Sequence, residues 1–268
     1  MMICVLFHVF DVDVVNIILL CLLYKHRKAK MSPYIAAENT TQRLRLTGLL
    51  SLIQGLLILV PTIILGQAIG WPATLDDPAS EALPRLLEQE GAVRVGYAAY
   101  LLMSILFVVT VAMIATLSSG KAMKSLIGLI IGFAFISTLA RSLGIIRWLY
   151  PAPELAKAWE AASTDQERFA ISTVFDLMNS YGGTVGEVLG VALFAAVSVS
   201  LLCIAWIKDN SMPKWLIGFG LLAVLSLLAT ASGIFGIEPD FIVVFLGTTV
   251  IQFFFMALGL RLLFSRGK

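Results

Sequence analysis

Six stretches of this chain stay apolar for about twenty residues each, at 46–69, 94–117, 126–147, 184–207, 215–235 and 241–263, and the segments between them are polar. At 1.5 Å per residue, each is long enough to cross a hydrocarbon core of roughly 30 Å. None alternates apolar and polar positions with period two, so they read as helices and not as strands of a membrane barrel. The pattern predicts an all-α polytopic membrane helical bundle with six transmembrane helices.

The longest polar insert, 150–181, reads as an external cap of two amphipathic helices. Pro151 and Pro153 stop the third span, and Glu154 to Ala162 makes a short helix. Ser163 or Thr164 then caps a second helix, with Gln166 or Glu167 placed to complete a capping box. There Phe169, Ile171, Val174, Phe175 and Met178 recur at roughly three and four, opposite Asp165, Glu167, Arg168 and Asp176. Such a helix lies on the membrane surface or roofs the bundle. The segment from Trp71 to Gly91 holds Asp76, Asp77, Glu81, Glu88 and Glu90 against Arg85 alone, and reads as a solvated loop.

Details inside the spans add expectations. Pro61 should kink the first span, whose face carries Ser51 and Gln54. Tyr97 and Tyr100 sit at one end of the second, where aromatic rings gather at the interface. Gly128 and Gly132 have the small-xxx-small spacing that lets a neighbouring helix approach. Thr248, Thr249 and Gln252 form a polar face on the sixth, suited to hydrogen bonds between helices.

Residues 2–23 form a further apolar run, broken by Asp11, Asp13 and Asn16 and followed by a basic stretch from Lys25 to Lys30. A secretory signal would carry positive charge ahead of the apolar region and a small-residue cleavage site after it, and neither is here. The run is either an extra N-terminal anchor or an over-extended gene start preceding Met31. Residues 31–268 then form a single six-span membrane domain.

Composition narrows the function classes. With 59% hydrophobic and 13% charged residues and a mean hydropathy of +0.93, the bilayer is the solvent for this chain. Cys4, Cys21 and Cys203 lie in apolar runs without a paired spacing, so neither a disulfide framework nor a metal knuckle is indicated. Both histidines, His8 and His26, precede Met31, so a haem, copper or zinc site in the main body would lack imidazole. There is no GxxxxGK, HExxH or GxSxG motif. No catalytic residue, metal site or cofactor is therefore assigned.

Placing the start of the first main span in the cytoplasm puts 13 of the 19 lysines and arginines inside: Lys25, Arg27, Lys28, Lys30, Arg43, Arg45, Lys121, Lys124, Lys208, Lys214, Arg261, Arg266 and Lys268. The positive-inside rule then sets both ends of the six-span body in the cytoplasm and the long insert outside. These bases are spread over separate short ends, which fits topology and anionic lipid but not nucleic acid.

The chemistry-bearing candidates cluster between Ser137 and Gly190. Arg141 and Glu187 are the charged side chains set inside otherwise apolar spans, and charge at membrane depth marks a functional site by default. Both are expected in the outer third of the bundle, close enough to pair. One reading makes that pair a fastener of the third and fourth spans. The other has Arg141 facing a cavity that receives an anionic group, with Arg147, Asn179, Tyr181 and Glu187 around it. The leading expectation is a non-catalytic protein holding a lipid or amphipathic anion. The alternatives are a membrane enzyme using Glu187 as acid or base, and a subunit docking another membrane protein.

Ala140 to Trp148, Pro153 to Ala156, Asn179 to Gly183 and Gly186 to Gly190 resemble a bacterial family of uncharacterised multi-pass proteins, domain of unknown function 4386. The resemblance covers about Thr41 to Leu263. It implies a six-span inner-membrane helical protein with no established activity, and supplies no catalytic residues. Residues 1–30 fall outside the family pattern, which favours Met31 as the start.

Overall fold

The computed structural model describes residues 33–237 and 240–265. The expectations for residues 1–30 lie outside them. Leu44–Ser265 form one compact unit; Pro33–Arg43 are helical and belong to another.

The first span is broken into α1 (Pro33–Leu56) and α2 (Leu59–Ile69). Pro61 has no N–H to offer the Leu57 carbonyl, which accepts instead from the Val60 N–H at 3.2 Å. The helix therefore breaks four residues before the proline. Next comes α3 (Ala79–Glu88), in the segment expected to be a solvated loop. Ala79, Leu83 and Leu86, spaced four and three, are buried, and the carboxylates occupy the opposite face. The acids concealed an amphipathic helix.

Then follow α4 (Glu90–Leu117), α5 (Lys121–Leu149), α6 (Pro151–Ala161) and α7 (Asp165–Gly183). Without a break α7 continues into a π-helical segment, Thr184–Phe194, and then α8 (Ala195–Asp209). The chain closes with α9 (Lys214–Thr230), a 3₁₀ turn (Ala231–Phe235) and α10 (Phe241–Leu263). Six helices among the described residues are long and apolar enough to cross a membrane. This is a multi-pass integral membrane protein.

Each span packs on its neighbours in sequence. The ring closes where α1 meets α10, for a Cβ on Gly48 would stand 2.9 Å from the Gly259 carbonyl oxygen. Phe107, Trp206, Phe254 and Phe255 fill the middle. At the end away from the cap, the Asp209 carboxylate accepts from the Ala122 and Met123 N–H groups at 2.9 and 2.8 Å, satisfying orphan donors at the start of α5.

The cap consists of α3, α6 and α7, packed on one another. Thr164 and Glu167 complete the capping box that starts α7. Only part of the expected apolar face of α7 is covered: Phe175 is buried and Ile171 and Met178 pack beside it. Phe169 and Val174 are exposed, because α7 meets the roof along a narrow stripe spaced four and three. An aromatic column ties roof to bundle. Trp148 stacks on Tyr97 at 5.3 Å and meets Phe175 edge-on at 6.3 Å.

Candidate functional site

Under the cap lies a half-open cleft of about 320 Å³, counting its mouth. Trp71 and Leu75 form its rim, Tyr97 and Tyr100 line one wall, and Arg141, Arg147 and Trp148 come from α5. Gly186, Glu187 and Val191 come from the π-helical segment.

Glycines set the geometry between the two charged elements. A Cβ on Gly190 would lie 2.8 Å from the Arg141 backbone nitrogen, and one on Gly182 would lie 2.7 Å from Arg147 Cδ. Only residues without side chains allow this approach. Ser137 Oγ bridges the same interface, donating to the Gly190 carbonyl at 2.7 Å, and Thr138 Oγ1 donates to the Ser104 carbonyl of α4 at 2.9 Å. Long π-helical stretches are rare and gather at functional sites.

The expected pairing of Arg141 with Glu187 is not what forms. Glu187 Oε1 stands 3.7 Å from Arg147 Nη2, a loose ion pair at the cap end of the cleft. The Arg147 side chain is 7% exposed and that of Glu187 49% exposed, so one partner is buried and the other reaches the opening. Arg147 Nη1 also donates to the Gly144 carbonyl at 3.1 Å.

Arg141 goes elsewhere. Its guanidinium lies 4.4 Å from the centre of the Phe107 ring, it is buried, and its Nε has no hydrogen-bond partner among the described residues. No carboxylate among the described residues pairs with it. Arg94 Nη1 donates to the Leu149 carbonyl at 3.1 Å, which puts those two residues at one level. Phe107 follows Arg94 by thirteen residues, so the guanidinium sits roughly 20 Å further down the bundle. Long helical side chains point back toward their own N-terminus, and α5 begins at the far end. The Arg141 backbone lies near the cap, as its position in the sequence suggests, while its charge lies near mid-depth.

The other two candidates stand apart. Asn179 Nδ2 donates to the Leu75 carbonyl at 2.7 Å, holding the rim without lining the cleft. Tyr181 is exposed and lines nothing there. The aromatic wall was the part sequence reasoning missed. Tyr97 and Tyr100 are seven and four residues before Ser104 on one helical face, and that spacing was the available signal. Tyr97 Oη is buried without a partner among the described residues. No group of three or more metal-ligating side chains occurs among the described residues.

Neither a curated protein nor a solved structure matches the chain. A family model described as a domain of unknown function, 4386, matches residues 46–265, and the chain belongs to that family.

Proposed function

We propose that this is a non-catalytic binding protein that holds a lipid or other amphipathic anion beneath its cap. The observation that carries the reading is Arg141, a buried cation lining a cleft and facing no carboxylate of the described residues. A charge kept at that depth without a protein counter-ion is costly unless something else neutralises it. The distribution of lysine and arginine supports a bacterial cytoplasmic membrane location with both ends of the six-span body inside and the cap outside.

Native mass spectrometry of gently extracted protein tests this. An anion that co-purifies with the wild type and is lost in Arg141→Ala, with the fold retained, supports the reading. Unchanged content in that variant overturns it. The enzymatic alternative is weaker, because Glu187 is engaged by Arg147 and no second carboxylate among the described residues lines the cleft. Docking of a second membrane protein is favoured by one observation: at Gly128 and Gly132 of α5, no heavy atom of the described residues outside the local helix lies within 4 Å of where a Cβ would stand. A stoichiometric protein partner in the same spectra would support it.

A further inference from the structure

The order of groups along the cleft names the class of ligand, given that the cleft binds an amphipathic anion as proposed above. A bilayer phospholipid carries its charge outermost and its chains deeper. The cleft is arranged the other way. Its unpaired cation, Arg141, is at the floor, roughly 20 Å below the level of Leu149. Between floor and mouth are the aromatic faces of Tyr97, Tyr100 and Trp71, the last two edge to face at 5.9 Å. An occupant that satisfies both ends enters charge first, with an apolar body above it.

Charge and size narrow this further. Arg147 and Glu187 offset each other, so the cleft has one positive charge to neutralise. About 320 Å³ is an upper bound on the room, since it includes the open mouth, and it excludes two acyl chains. Arg141 Nε, Arg147 Nε and Tyr97 Oη are buried polar atoms of the lining residues with no hydrogen-bond partner among the described residues, and a carboxylate at the Arg141 guanidinium would supply a charge-assisted acceptor.

We infer that the cleft receives a small monocarboxylate with an aromatic or compact apolar body, taken from the water at the cap end, carboxylate on Arg141 and body between the aromatic side chains.

Thermal unfolding of the detergent-purified full chain tests this with four probes: phenylacetate, the neutral isostere phenylacetamide, inorganic phosphate and dioleoyl-phosphatidylglycerol. Phenylacetate should raise Tm in proportion to the logarithm of its concentration, as a ligand of the folded state does. Phenylacetamide and phosphate should bind at least about tenfold more weakly, since each lacks one half of the recognition. Arg141→Gln should weaken phenylacetate by a similar factor. If that variant does not fold, the wild-type comparison of acid with amide decides alone. Arg141-dependent binding of phosphatidylglycerol without phenylacetate would overturn the small-acid assignment and leave the proposed function standing. Phosphate binding as tightly as phenylacetate would overturn the need for an apolar body. No response to any of the four would remove the proposed function as well.

Discussion

Gly144 of α5 and Gly186 of the π-helical segment meet backbone to backbone, such that a Cβ on Gly144 would stand 2.6 Å from the Gly186 Cα and one on Gly186 would stand 2.9 Å from the Gly144 Cα. Without a hydrophobic force between helices in lipid, van der Waals contact at such points holds the third and fourth spans together. The neighbour on each side is backbone, which cannot swing away. Gly144→Ala and Gly186→Ala should each destabilise by about 1–3 kcal/mol. Gly128→Ala, placed in open space on the same helix, should be neutral or slightly stabilising. Thermal unfolding of the three variants in detergent checks this, and equal Tm values would count against the contact.

The Arg147 and Glu187 pair should respond unequally to loss of either member. Glu187→Gln strands a buried guanidinium, whereas Arg147→Ala leaves a carboxylate that is half exposed and reaches the opening. Discounted for that exposure, the coupling between them in a double-mutant cycle should be about 1 kcal/mol. A coupling indistinguishable from zero would show that the contact contributes nothing.

Removing Phe175 should loosen the roof. Its ring is 1% exposed and meets Trp148, so Phe175→Ala should cost about 3–5 kcal/mol within the docked cap. Limited proteolysis should then cut faster in α3, α6 and α7, with the spans intact. The exposed Phe169 serves as control, and Phe169→Ala should leave the rate unchanged.

Much of this architecture is legible in the residues. The sixth span, expected at 241–263, is α10 over Phe241–Leu263, because twenty or so apolar residues bounded by polar ones have few alternatives in a bilayer. The capping box at Thr164 and Glu167 was readable because it is local, made within four residues. The helix Ala79–Glu88 was not recognised, since the acids of the surrounding segment, Asp76, Asp77, Glu81, Glu88 and Glu90, suggested a solvated loop while three buried apolar positions carry its fold. The π-helical turn over Glu187 had no signal of its own; only the glycines hinted that a neighbour comes close.

By itself, the amino-acid sequence determined the solvent, the number of spans, the two cap helices of the 150–181 insert and the two charges worth watching. Those follow from length, hydropathy and local hydrogen bonding, which act within one segment of chain. The partner of each charge was decided only in three dimensions. Arg141 and Arg147 differ by six residues on one helix, yet one meets Glu187 and the other an aromatic ring near mid-depth. The reason is physical: side-chain direction along α5 and the glycine-set depth of the opposing helix place each guanidinium, and neither quantity is written in residue spacing.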